Sequence, residues 1–583
     1  MKRKDGFCGG LVFRGIRVAL FCVLIFLPHV LGAQTEEDVE ESLSLGAEEE
    51  AELYGEDMVS HLQRLRRHPL NLNSASRSAM EGLMLLTPFQ IASVLDRIAA
   101  SGPILSYAEL SLLYGFDEKT VERIRPYITL GEAVRKPGSF VGDESTSVYF
   151  RYQRVFSSPS EQHLLRIRSS YLDRVDLSLV WKGNSSQKTS ENFATGGISY
   201  SGLKLGRLKV EKLVVGDFYA RMGQGLAAWN GFSFSGAGEA TGFVKNSGAL
   251  SLYTSSDTSK LLRGGALSLS CGKICVSAGY SLKGSVSVCG VSYTRRRTRL
   301  GLSYFHKEKE GSVVALDYLA GLAGTVLFAE GALSPETESF AGLAGASVEI
   351  GNTSLHLLFR SYGKDFYSPI GGAYSSLSKI KNQKGVSLRI GGKVYRRISY
   401  AAGADYSAYP APRYRIKEPS STFKGYLKLL WDDSSFGIPA SNEFWIKAYA
   451  KIDAKYSVPV EKDRILSLKT GGRVLLSSGL SLVLRGECNS LGGRAFSSYL
   501  KLEKKKVGCT AGMAIFKVVD WAARIYFPES ELPYSFSSHL LYGQGMDVGV
   551  LLKLKPNRWL SLYLKYQYRR GVSTAKAAVR LEL

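Results

Sequence analysis

Cations placed at every second position are the residues with the clearest chemical use in this chain. In WLSLYLKYQYRR, Lys565 and Arg569 alternate with Leu560, Leu562, Leu564, Tyr566 and Tyr568. In EFWIKAYAKID, Lys447 and Lys451 alternate with Phe444, Ile446, Ala448, Ala450 and Ile452. Lys576 and Arg580 repeat the design against Ala575, Ala577, Val579 and Leu581, and Arg151 opens it. Residues two apart share one face of a strand, so each run has a basic face behind an apolar one. Enclosed in a lumen, such charges would favour anions and repel cations. Set against acids, they would fill an interior as ion pairs.

Two further stretches carry glycines where backbone N–H groups could meet a ligand. GDFYARMGQGLAAWNGFSFSG, residues 216–236, interrupts the alternation. Gly223, Gln224 and Gly225 begin a G-x-G-x-x-A string there, but a dinucleotide loop requires a βαβ unit and none follows. The stretch reads as a glycine-rich inward loop or a bulged constriction. At Gly115-Phe116-Asp117-Glu118-Lys119-Thr120 a turn leads into a helix, whose first N–H groups can hold a phosphate. Gly115, Phe116, Lys119 and Thr120 are the residues of this turn and helix start. Asp117 is placed to cap that helix itself, adding a like charge where the phosphate would sit. In the upstream segment Leu85-Leu86-Thr87-Pro88, Thr87 can cap in the same way and Pro88 removes a donor.

Catalytic constellations are missing from the pattern. His61, His68, His163, His306, His356 and His539 are scattered, and no H-E-x-x-H, G-x-S-x-G or P-loop occurs. Cys271 and Cys275 could face each other across a tight hairpin, but no histidine stands near them to complete a metal site. The expectation is a protein without catalytic residues, metal or cofactor.

The elements that must position these residues differ along the chain. From Val148 onward the period is two, in runs of about ten residues separated by turns, the length that crosses a bilayer as a tilted strand. The outward faces lack the polar residues of a solvated sheet. The apolar stretch Tyr318–Ala329 is too short for a membrane helix and holds glycines, so it reads as two strands with a turn near Gly321 to Gly324. Residues 145–583 are thus expected to form one closed antiparallel transmembrane β-barrel, with an even number of strands, roughly two dozen.

The N-terminal part is built otherwise. Lys2, Arg3, Lys4, Arg14 and Arg17 precede the apolar run Val18 to Leu27, with Gly32 and Ala33 after it, so 1–33 reads as a secretory signal peptide. Residues 34–59 read as an acidic disordered linker, with eleven acids and no Lys or Arg between Gln34 and Met58. The rest of the mature chain is then more basic than its net charge of +23 shows. Between 60 and 131 the period is helical: Ile91, Val94, Leu95 and Ile98 share a face, Ser106 and Glu109 form a capping box, and Asn71, Asn73 and Ser74 offer a capped start. Residues 132–144 read as a linker.

LNLNSASRSAMEGLMLLTPFQIASVLDRIAASGPILSYAELSLLYGFDEKTVERIRPYITL, residues 70–130, resembles the tandem helix-hairpin-helix module of the late-competence DNA-receptor (ComEA-type) family. The N-L-N start, Gly102-Pro103 and the E-K-T run carry the likeness. In that family two G-h-G hairpins present helix N-termini to DNA phosphates, so the resemblance implies Gly115, Phe116, Lys119 and Thr120 as the candidate phosphate or DNA site. Here the second reads Gly115-Phe116-Asp117 and the first has lost both glycines, so the resemblance implies the fold more than the DNA chemistry. With eight Lys and Arg against six Asp and Glu in 60–131, net +2, no basic face compensates. The 216–236 stretch resembles a segment of Bacteroidetes-type exported proteins that join such a module to a barrel.

Together these features give an α+β multidomain chain: a small all-α tandem helix-hairpin-helix domain followed by a large barrel. The expected place is the outer membrane of a Gram-negative bacterium, with the module in the periplasm. The expected role is a non-enzymatic pore, transport or assembly component in contact with outer-membrane lipid, whose module docks on a periplasmic or outer-membrane protein. The alternative is a DNA-binding component of DNA uptake, and the third an outer-membrane hydrolase.

Overall fold

The computed structural model describes residues 65, 69–75, 80, 83, 85–86, 88–113, 115–116 and 118–131. From 145 onward it describes all but 157–159, 172–173, 185–191, 232–241, 246–248, 257, 259, 296, 323, 396, 414–415, 433–441, 457–460 and 535–536. The signal peptide, the acidic linker and the linker at 132–144 expected from sequence lie outside the described residues, as do Thr87 and Asp117.

Alternation of side chains dictates the main body. Its principal sheet has 26 strands. Leu203–Leu205 continues Phe193–Tyr200 along the same neighbour, and Ala249–Leu252 pairs only with the inturned end of another strand. Setting these two aside leaves 24 staves. Every pairing is antiparallel, and the first stave, Ser145–Val155, pairs with the last, Val572–Glu582, at Val148↔Leu581, so the sheet closes and has no open edge. The outward positions are apolar and uncovered: Val215, Leu302, Leu316, Leu427, Ile446 and Leu564 are all exposed. An apolar belt this large is a face for lipid.

The two ends of the barrel differ. The end where Ser145–Val155 begins carries mostly short connections, such as 272–273, 296–297, 351–352 and 478–479, with 433–442 the longest. The opposite end carries the long ones, 222–261, 363–382 and 519–542. The Tyr318–Ala329 stretch is the pair Gly311–Leu322 and Thr325–Ser334, turning at Gly324 with φ +69. Cys271 faces Ile274 while Cys275 faces Ser270, so the two sulfurs sit on opposite faces and the hairpin disulfide is not built.

One strand leaves the wall. Leu208–Arg221 keeps its ladder to Phe193–Tyr200 only up to Gly216 and to Leu262–Cys271 up to Phe218, then turns inward, and Phe218–Arg221 is buried. Gly216 has φ +109, and a Cβ there would meet Gly196 O at 2.5 Å and Gly197 Cα at 2.6 Å, so three glycines make the close approach that lets the strand depart. Side chains repair the interrupted ladder. Gly196 N donates to Asp217 Oδ2 (2.7 Å), while Arg263 donates to both Asp217 oxygens (2.6 and 2.9 Å) and to Ala194 O (2.6 Å).

A separate helical unit precedes the barrel. Helix Pro88–Ser101 starts with proline in its first turn, where the missing N–H costs nothing, and buries Ile91 and Val94. Helix Tyr107–Ser111 is capped by Ser106 Oγ, which accepts from Glu109 N (3.1 Å). The reciprocal arm of the box shifts by one residue: Glu109 Oε2 accepts from Leu105 N at 2.8 Å. Helix Glu118–Ile124 follows. Asn73 serves as a clamp rather than a simple cap, since Oδ1 accepts from Ile104 N (2.8 Å) and Nδ2 donates to Ile104 O (2.9 Å) and Leu130 O (3.0 Å). A parallel pair, Leu70↔Ile128 and Asn71↔Thr129, ties the unit's two ends. Asp96 bonds Arg297 at the short-turn end of the barrel, 2.7 Å apart.

Candidate functional site

The lumen is filled from two sides by the chain's own segments. The first is the glycine-rich stretch. Phe218–Arg221 runs inward, turns through residues 222–225 and returns, with Met222 N donating to Ala228 O (2.9 Å) and Asn230 N to Ala220 O (3.2 Å). Met222, Leu226, Ala227 and Ala228 pack on inward wall residues including Val288, Phe305 and Phe328. The long connection 363–382 covers the hairpin: Gly372 N and Ala373 N both donate to Gly225 O (3.0 and 3.1 Å), and Trp229 N donates to Ile370 O (2.9 Å). The expected inward constriction is therefore a hairpin plug.

A single wall carboxylate latches its tip. Glu330 Oε2 accepts from Gln224 N (2.7 Å) and Leu226 N (3.1 Å), two backbone donors of the turn. Gly223 has φ +56, and a Cβ there would lie 2.8 Å from Glu330 Oε1. Gly225, at φ +95, would meet Ala373 N at 3.1 Å. The glycines thus let two backbone N–H groups of the turn converge on one carboxyl oxygen of the barrel wall. Gln224 is held in turn by Lys245, whose N donates to Gln224 Oε1 (2.8 Å) and whose ammonium lies 4.6 Å from the Trp229 ring centre and donates to Gly372 O. Opposite Glu330 in the strand register stands Asp317, inward and buried, 3.4 Å from Arg299.

The second filling is the connection 519–542, which folds back as the hairpin Ile525–Glu529 with Ser537–Leu541. Leu532 and Tyr534 at its tip pack among Tyr149, Leu164, Val180, Leu551, Tyr563 and Ala578. It brings acids to the predicted lumenal cations. Lys565 is buried, donates to Ser530 O (2.7 Å) and pairs with Glu531, as does Lys576 at 2.9 Å. Arg569 pairs with Glu529, which also accepts from Gln567 (2.6 Å). Burial opposes ionisation of Glu531, but the ammonium groups of Lys565 and Lys576 outweigh it and hold the carboxyl at about 2. Arg580 is buried, lies 2.5 Å from Glu582 and stacks 5.9 Å from the Tyr534 ring. Arg151 is buried on the inward face of its strand. Lys451 pairs with Asp453 (3.2 Å), and Lys447 lies over the Tyr426 ring at 5.1 Å.

The hairpin candidates lie far from this lumen chemistry. Gly115 has φ +86, as a tight turn requires, and its carbonyl accepts from Gln90 Nε2 (2.7 Å). Phe116 N donates to Leu113 O (3.0 Å) and its ring joins the unit's core, so that N–H is committed within the fold. Lys119 and Thr120 fall in the first turn of the seven-residue helix Glu118–Ile124.

Sequence reading missed the partners. Glu330, Asp317, Glu529 and Glu531 were not singled out as a site, though Glu330 and Asp317 stand at inward parity in otherwise apolar strands, a signal that an acid has an interior duty.

No protein-family model matches the chain. No curated protein matches it either. Among solved structures it is similar to the siderophore receptor PirA from Pseudomonas aeruginosa, at 9% identity and a TM-score of 0.40, over 76% of this chain and 80% of that one. The copper transporter OprC aligns at 7% identity with a TM-score of 0.41, over 76% and 80%. The P pilus usher (PapC) translocation pore aligns at 9% identity and 0.38, over 75% and 99%. Likeness at this level concerns barrel architecture alone. The architecture itself is an outer-membrane type of barrel with an occupied lumen.

Proposed function

We propose that this chain is a non-enzymatic transport or assembly component of the outer membrane: a plugged barrel whose helical unit works on the periplasmic side. Short turns mark the periplasmic end of such barrels and long loops the outer end, and the unit's contact with the short-turn end supports a periplasmic place for it. We read the unit as a tandem helix-hairpin-helix module that docks on protein, and its Asp96–Arg297 contact supports docking on its own barrel's rim. The observation that carries the transport reading is the latch. The polar contact of the plug's tip with the wall is one carboxyl oxygen and two backbone N–H groups, and it can open without breaking the barrel ladder.

The test is conductance of the purified full chain in planar bilayers. Wild type should show a small conductance, and Glu330→Ala, which removes the acceptor for two buried donors, should raise it several-fold. Large and equal conductances for both would sink the latch, and none from either would sink the pore reading. Fluorescence anisotropy of the same protein with duplex DNA decides against or for DNA uptake. Tight binding that weakens steeply between about 50 and 200 mM salt would favour DNA uptake.

A further inference from the structure

At the long-loop end of the staves Arg494–Glu503, Val507–Val518 and Gly543–Leu554, the apolar belt gives way to a polar row on the outer face. Register sets that row as Cys488↔Arg494↔Lys517↔Gln544, and all four residues are exposed. Residues directly opposite in an antiparallel ladder share a face. The next row on that face is Phe496↔Ile515↔Met546, in which Phe496 and Ile515 belong to the lipid belt at 47% and 50% exposure. Between the two rows, Ala495 and Phe516 point the other way and pack on the second hairpin. Arg494 and Lys517 therefore stand on the lipid side, one row beyond hydrocarbon-facing side chains.

Like charges directly opposite on a sheet repel, and a cation on the lipid face is tolerated only near the headgroups, where its cost falls away. At the same end of the barrel, Arg154 stands opposite Glu161 and lies 3.7 Å from it, so that charge is answered within the wall. The pair Arg494↔Lys517 has no such answer: among the described residues neither side chain is ion-paired, and the row holds no acid. Asp520, three positions beyond Lys517, is occupied with a backbone cap, its Oδ1 accepting from Ala522 N at 2.9 Å. Beyond the row, Val519 and Trp521 are exposed, Trp521 meets the Tyr542 ring at 5.2 Å, and Arg524 lies 5.2 Å from the Trp521 ring centre. Tryptophan at the end of an apolar belt marks the membrane–water boundary.

We infer that Arg494 and Lys517 bind the phosphate of an outer-leaflet glycolipid of the lipid A kind, with its acyl chains along Met513, Ile515 and Phe496 and its headgroup bordered by Trp521. This rests on the reading that the long-loop end faces outward, and adds the lipid and the side chains that hold it. Two adjacent cations can share the oxygens of one phosphate through charge-assisted N–H···O bonds, which removes the repulsion that the register imposes. Continuity with the apolar belt makes the occupant a lipid, because a free phosphate would leave the row of Phe496 and Ile515 uncovered.

The test is native mass spectrometry of the full chain in detergent, titrated with diphosphoryl lipid A. Wild type should retain the lipid, and Arg494→Gln/Lys517→Gln should weaken binding about tenfold or more. Arg154→Gln, at the same end but facing an acid, should change nothing, and phosphatidylglycerol should bind wild type less tightly than lipid A. Heat-modifiable migration shows that the variants are folded, and Lys517→Gln alone repeats the test if the double variant fails to fold. No lipid A retained by wild type, or equal retention by the folded double variant, overturns the site. Phosphatidylglycerol held as tightly as lipid A overturns the glycolipid assignment. Planar-bilayer conductance separates this site from the transport reading, since neither cation faces the lumen and the double variant should conduct as wild type does. Lipid A binding by a chain that does not conduct keeps the site and removes the pore.

Discussion

At the scale of single residues, the plug turn depends on what glycine omits. Gly223 combines positive φ with a position where Cβ would press on Glu330. Gly223→Ala therefore adds a left-handed alanine and a clash with the latch, costing roughly 1–3 kcal/mol locally. The expected result is an intact barrel with a loosened plug, read as faster trypsin cleavage after Arg221, Lys245 or Lys260 by mass spectrometry. Cleavage at the wild-type rate would show that the latch does not hold the turn. Gly115 is the contrasting case, a positive-φ glycine whose carbonyl and neighbouring N–H are spent inside the helical unit. The same residue type serves a turn in both places, and of the two only Gly223 lies in a turn that meets a carboxyl group of the barrel wall.

Among the elements, the strand Leu560–Arg569 shows the parity most plainly. Leu564 is 53% exposed on the outer face while Lys565 is buried behind it. Leu564→Lys would put a charge against lipid at a cost of roughly 2–4 kcal/mol near the bilayer midplane. A lower yield of heat-modifiable, membrane-integrated protein is the expected outcome. An unchanged yield would mean that this face does not meet hydrocarbon. The helical elements obey a different logic, since the clamp at Asn73 and the cap at Ser106 hold their unit together through polar contacts with backbone.

For the whole molecule, closing a 24-stave ring leaves an interior too wide for wall side chains alone to fill. Connections from the long-loop end supply the rest, and their attachment is electrostatic as well as apolar. Glu531 lies in the 519–542 connection with its carboxyl held at about 2, below the ordinary 4.5. A depressed carboxyl contributes stability above its ordinary value and loses it as pH falls through the folded one. The second hairpin should therefore stay docked from neutral pH to about 4.5 and loosen between there and 2. Pepsin cleavage within 519–542 that rises across that window is the measurement. Glu531→Gln should remove the pH step, and a wild-type hairpin cut equally at pH 5 and pH 2.5 would contradict the assignment.

What the sequence by itself determined is whatever repeats locally. Pleating sends every second side chain to one face, so the apolar belt, the inward parity of Lys565, Lys576 and Arg580, and the strand pair at Tyr318–Ala329 could be read from residues a few positions apart. Capping is equally local, which is why Ser106 was legible. The broken alternation at 216–236 announced an inward segment because a wall strand cannot hold it. Which acid meets which cation was another matter. Gln224 and Glu330 stand 106 positions apart and Lys576 and Glu531 stand 45 apart, and nothing periodic links them. The row Lys428↔Lys447↔Lys469↔Glu487 exists only through the registers of four staves. Register across a closed ring and the return of long connections into its lumen are decided by the whole packing at once, so the tertiary structure alone could turn a basic face into a latch, a set of ion pairs and a row of lysines.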